Sequence, residues 1–82
     1  MVKHFVYAIK SRKDTRIYVG ISSNPERRLR EHNRGETPST KSYIPWTLIY
    51  KKLLSSRIEA REEEKRLKSG YGKEFLKSII RH

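Results

Sequence analysis

Apolar positions come in short runs separated by long charged ones, and the spacing inside each run says what it forms. Residues 4–10, HFVYAIK, are too short for a helix and rich in aromatic and β-branched side chains, which predicts a strand. SRKDTR (11–16) is polar and turn-like. In IYVGIS (17–22), Ile17, Val19 and Ile21 share one face while Tyr18, Gly20 and Ser22 share the other. The two runs predict a β-hairpin. Asn24-Pro25-Glu26 then marks a helix start: a capping side chain, a proline at the first helical position and an acid in the positive first turn. Gly35 is the matching stop. Between them Leu29 is the single large aliphatic residue, among four arginines and a histidine.

Residues 36–45, ETPSTKSYIP, read as loop, and WTLIYKKLL (46–54) as a third strand. Ser56-Arg57-Ile58-Glu59 has capping-box spacing and opens a charged helix running to about Ser69. Gly70 and Gly72 are expected to break it. A last helix over 73–80 then pairs Phe75-Leu76 with Ile79-Ile80 at helical spacing, to dock on the sheet. The order β-β-α-β-α-α predicts an α+β fold, a three-stranded antiparallel sheet flanked by helices.

Length and charge narrow the function. The 82 residues are expected to form one domain, 1–82, with a small core. Twenty basic against nine acidic residues give a net charge of +11. So one-sided an excess implies a polyanionic partner, nucleic acid first, because solubility alone does not require it. The absence of cysteine excludes disulfides, thiol catalysis and cysteine-based zinc sites, and fits a reducing compartment. The run Phe5–Ile9 is too short for a signal peptide, and nothing approaches transmembrane length. A cytoplasmic protein with no membrane association is expected.

Two constellations could carry chemistry. Arg28 and His32, four apart, share a helix face while Leu29 turns toward the sheet, and Tyr18 lies just upstream. The three could converge where the second strand meets the first helix; the alternative is a half-buried sheet tyrosine beside a solvated arginine face. In EAREEEKRLK (59–68), Ala60 and Leu67 define a core stripe, with Glu63 and Glu64 on its two edges and Glu62 pointing away. Either edge carboxylate suits a hard cation such as Mg²⁺, or simply pairs with Lys68, Arg57 or Arg61. Periodicity does not choose between them. His4 and His82 show no metal-ligand spacing.

Taken in order, VYAIKS, YVGISSNPERRLREHNRG, STKSYIPWTLIY and EAREEEKRLKSGYGKEFL resemble the GIY-YIG nuclease domain, and most closely its small stand-alone bacterial members. The name triplets are altered to Val6-Tyr7-Ala8 and Tyr18-Val19-Gly20, but both tyrosines and the second glycine remain. The resemblance implies a divalent-metal-dependent DNA endonuclease. It makes Tyr7 and Tyr18 the paired active-site tyrosines, Arg28 the catalytic arginine, and His32 a position often held by His or Tyr. Glu64 becomes the ligand of Mg²⁺ (or Mn²⁺). Tyr18 would act as general base, with Tyr7 or His32 assisting. Arg27, Arg30, Arg34 and Lys41 would contact DNA phosphates. A polar residue that follows the glutamate in longer members, often Asn, has no counterpart placed here. With no targeting domain, such a protein would select DNA by structure, as in repair, or borrow specificity from a protein partner. The competing reading is a non-catalytic module that binds DNA or RNA on the same fold.

Overall fold

The computed structural model of the chain describes residues 2–80; His82 lies outside them. The hairpin pairs β1 (His4–Ser11) with β2 (Ile17–Ser22) antiparallel, setting Tyr7 opposite Gly20 and Ile9 opposite Tyr18. Strand β3 (Trp46–Leu54) pairs antiparallel with the other side of β1, so the sheet order is β2-β1-β3. Being central and covered on both faces, β1 is apolar without alternation, and Val6, Tyr7, Ala8 and Ile9 are all buried. Against β3 its register slips between Ala8 and Ile9: Ala8 faces Tyr50 and Ile9 faces Leu48. Ile49 is thus the extra residue of a bulge. Ile49 and Tyr50 both pack against the same core cluster.

One helix covers one face of the sheet. α1 (Pro25–Asn33) begins where Asn24 Oδ1 accepts the Arg27 N–H at 3.1 Å, and the chain turns away at Gly35, φ +78°. Leu29 packs there with Tyr7, Ile9 and Trp46. The opposite face carries α2 (Arg57–Lys68) and α3 (Gly70–Ile80), whose Ala60, Leu67 and Leu76 close the second cluster with Val6, Ala8 and Val19. Ser56 Oγ caps α2 through the Glu59 N–H at 3.2 Å, while the Glu59 carboxylate bonds to Ser55 instead of returning to Ser56. The loop after α1 contains one short 3-10 turn, Lys41–Tyr43.

One boundary differs from the sequence expectation. Gly70 and Gly72 do not separate the last two helices; both lie inside α3. Ser69 makes the junction alone. Its Oγ donates to the Arg66 carbonyl at 2.6 Å, closing α2, and accepts the Gly72 N–H at 3.2 Å, opening α3. Gly72 is there for packing: a Cβ on it would lie 2.3 Å from the Arg66 carbonyl oxygen and 2.4 Å from Leu67 Cα. Only a glycine lets α3 start against the end of α2. Among the described residues, no helix is long and apolar enough to cross a membrane.

Candidate active site

Three elements bring four of the expected residues together on the α1 side of the sheet. Tyr7 from β1 and Tyr18 from β2 point to that face because they occupy the odd and even positions that the Tyr7–Gly20 register aligns. Their ring centroids lie 6.4 Å apart. From α1, His32 enters between them: its ring is 4.9 Å from Tyr18, edge to face, and its Nε2 is 3.1 Å from the Tyr7 hydroxyl oxygen. The helix's polar face therefore does not all look outward, since His32 is fully buried and fills a core position. Its other nitrogen, Nδ1, lies 2.8 Å from Thr40 Oγ1 in the loop.

Arg28, one turn earlier on α1, lies beside the Tyr7 phenol. Burial pushes the Tyr7 hydroxyl above the ordinary tyrosine range, and the Arg28 guanidinium partly offsets this. Burial also holds His32 below the ordinary histidine range, helped by the charge of Arg28, so the imidazole is neutral. Arg28 itself is anchored by Glu31, with Nη1 2.6 Å from the carboxylate. That pair lowers Glu31 in turn. Tyr18 is half-buried and lines a groove of about 590 Å³ along the β2 edge, with Thr40, Tyr43, Lys68 and Lys73 among its walls.

The two edge carboxylates of α2 have different partners. Glu63 is committed: it accepts from Tyr50 Oη at 2.9 Å and from Arg66 Nε and Nη2 at 2.9 and 2.7 Å. Arg66 holds its carboxyl below the usual range, and Tyr50, half-buried beside that charge, is pushed up to about 12 by desolvation and by Glu63. Glu64 has one partner among the described residues, Lys68 at 3.3 Å, so its oxygens keep accepting capacity. No hydrogen bond joins Glu64 to Tyr7, Tyr18, Arg28 or His32; it lines a separate, shallow depression on α2 with Ile58, Arg61, Glu62 and Lys65. Arg27, Arg30, Arg34 and Lys41 are all exposed. Arg34 pairs with Glu36, and Arg27 lies 3.7 Å from Glu31.

Residues 3–77 match the GIY-YIG catalytic domain. The chain belongs to the GIY-YIG family. It is 38% identical over 80 residues to a UPF0213 protein of Staphylococcus haemolyticus, covering 96% of each chain. A UPF0213 protein of Staphylococcus saprophyticus is 32% identical over the same span. One from Haloquadratum walsbyi is 34% identical over 67 residues, 80% of this chain and 74% of that one. No solved structure matches.

Within this GIY-YIG domain, Glu31 and Thr40 are polar contacts that the sequence reading passed over. Glu31 was legible, three residues from Arg28 and four from Arg27. Thr40 was not, because loop residues carry no periodicity. The glycine of Tyr18-Val19-Gly20 also has a physical reason. A Cβ at Gly20 would sit 2.8 Å from Tyr7 Oη and 3.1 Å from Tyr18 Cε1. Gly20→Ala is expected to push the buried Tyr7 hydroxyl off His32 at a cost of about 1–3 kcal/mol. Melting and plasmid nicking check it: the variant folds with a lowered Tm and loses nicking.

Proposed function

We propose that this protein is a metal-dependent DNA endonuclease, hydrolysing a phosphodiester at the tyrosine-lined end of the sheet. What carries the reading is the convergence of Tyr7, Tyr18, Arg28 and His32 from three separate elements. A solvated arginine face gives no reason for a neutral histidine buried between two tyrosines under a guanidinium.

Tyr18 reaches solvent in the groove, and its phenolic oxygen acts as the general base that takes the proton of the attacking water. The resulting hydroxide adds to phosphorus, and the phosphorus–oxygen bond opposite it breaks. A phosphate monoester and an alcohol remain, the latter protonated from solvent. Arg28, always charged, meets the negative charge that builds on the phosphoryl oxygens. Tyr7 and His32 sit behind and hold that end of the site in place. Among the described residues no three His, Cys, Asp or Glu side chains gather as a metal cage. Glu64 on α2, engaged by Lys68 alone among the described residues, would hold Mg²⁺ (or Mn²⁺), a hard cation that accepts a single carboxylate and completes its shell with water and phosphate. When bound it would neutralise the scissile phosphate and stabilise the leaving oxygen. Arg27, Arg30, Arg34 and Lys41 hold the DNA backbone, selecting by DNA structure rather than sequence.

The test is nicking of supercoiled plasmid by purified protein with Mg²⁺ and with chelator, beside a binding titration. Nicked circles are expected only with metal. Binding is expected to weaken with salt at a log–log slope of roughly −4 to −5, for about four to six phosphates. Tight binding without nicking leaves the non-catalytic module, and stronger competition by RNA than by DNA moves the partner to RNA. A slope near zero removes the basic surface from the interface.

A further inference from the structure

The sheet end of the hydrogen-bond chain behind the tyrosines constrains where its protons lie. From the loop end, the Thr40 hydroxyl reaches the Thr37 carbonyl oxygen at 3.3 Å, an acceptor shared with the Thr40 and Lys41 N–H groups, and can place its proton there when His32 presents a donor. A lone pair of Thr40 then faces His32, and the Nδ1 at 2.8 Å carries the hydrogen. From the sheet end, the buried Tyr7 phenol must place its own proton. Arg28 beside it can only donate, which leaves His32 Nε2 at 3.1 Å as the acceptor. The sheet end requires, and the loop end allows, a neutral ring with hydrogen on Nδ1 and a lone pair on Nε2.

We propose that Thr40 is a positioning residue of the site: its hydroxyl fixes the Nδ1–H tautomer of His32 and so makes Nε2 the acceptor of the Tyr7 proton. The proposal rests on the endonuclease reading for its consequence, but not for its geometry. In the opposite tautomer an Nε2–H would face Tyr7 Oη, and the phenol proton would have no acceptor in a site where Tyr7, His32 and Thr40 are all at most 1% exposed. An unpaired polar group buried there is costly. With its proton directed to Nε2, Tyr7 keeps its oxygen lone pairs for Arg28 and for the space that Gly20 leaves open. A histidine in the wrong tautomer turns a donor toward that oxygen and takes those lone pairs.

The backbone of Thr40 is held without its side chain. Trp46 Nε1 donates to its carbonyl at 2.9 Å, as does the Tyr43 N–H at 3.1 Å, and its own N–H reaches the Thr37 carbonyl at 3.1 Å. Thr40→Val, of the same shape, therefore removes the hydroxyl and little else. Two-bond ¹H–¹⁵N correlation spectra of the full chain read the His32 tautomer directly. The wild type is expected as Nδ1–H, and Thr40→Val with its population moved toward Nε2–H. Plasmid nicking is expected to fall about 10²-fold in Thr40→Val, the cost of a small misplacement of groups at a reacting centre. Thr40→Ser restores both. A wild-type ring found as Nε2–H, or a folded Thr40→Val keeping Nδ1–H, overturns the assignment. So does Thr40→Ser failing to restore the tautomer, which also decides the matter should the valine variant not fold. If the wild type does not nick at all, the endonuclease reading fails, while the spectra still decide the role of Thr40.

Discussion

Arg28→Ala is expected to lose plasmid nicking to background, while Arg27→Ala keeps most of its rate and binds DNA slightly less tightly. The two arginines are neighbours in sequence and about 100° apart around α1. The Arg27 side chain is 55% exposed and lies 3.7 Å from Glu31. The Arg28 side chain is 30% exposed, sits 2.6 Å from the same carboxylate, and faces the Tyr7 phenol. A preorganised donor aimed at developing charge is worth about 10²–10³ in rate. Arg28→Lys is expected to recover little of it, because an ammonium lacks the planar fork that spans Glu31 and Tyr7. Loss of the Glu31 pair costs stability below about 1 kcal/mol, since the pair is partly exposed and Arg27 remains beside Glu31. A melting curve separates a folded, inactive variant from an unfolded one. Equal, modest losses in both alanine variants would leave only a charged face that binds phosphates.

Much of the fold was legible because each element carries its own period. The alternation in Ile17–Ser22 sorted Tyr18 and Gly20 onto the site face before any partner was known. The cap at Asn24 and the positive φ at Gly35 bounded α1 from residue chemistry alone. The reading failed where one residue serves two elements. Ser69 ends α2 and caps α3, so no break was needed, and Gly72 signals a close helix contact instead of a stop. His32 shows a different limit. Helical spacing put His32 on a polar face near Tyr18, with a solvated face as the alternative, yet its imidazole is buried because Tyr7 and Thr40 satisfy both its nitrogens across the fold. Partners 25 and 8 residues away leave no local trace. Periodicity likewise set Glu63 and Glu64 at equal angles from the Ala60–Leu67 stripe, and only the position of Tyr50 on β3 distinguishes them.

That distinction supports the sharpest separation of enzyme from binding module. Glu64→Gln is expected to abolish nicking at every Mg²⁺ concentration while leaving the fold intact. Its only partner among the described residues is Lys68, at 3.3 Å and i+4, a pair worth about 0.3–0.5 kcal/mol on an exposed helix. Glutamine keeps the shape and loses the charge, and with it the one carboxylate offered to the metal. DNA binding without metal is expected to hold or tighten slightly, because a negative charge leaves a site meant for phosphate. Glu63→Gln is expected to do the reverse. There the side chain is 9% exposed and holds Tyr50 and Arg66 together, and an amide accepts at one oxygen only. The loss of a charged hydrogen bond costs about 1.5–3 kcal/mol. In a domain of this size that lowers Tm by roughly 4–8 °C per kcal/mol. Nicking by the folded fraction is expected to continue. Glu62→Gln, on the exposed side of α2, changes neither property. A nicking time course, a melting curve and a metal-free titration on the three variants decide the matter. Retained nicking by Glu64→Gln, or loss in Glu63→Gln at temperatures where it is folded, would move the metal to the other carboxylate or remove it from this helix.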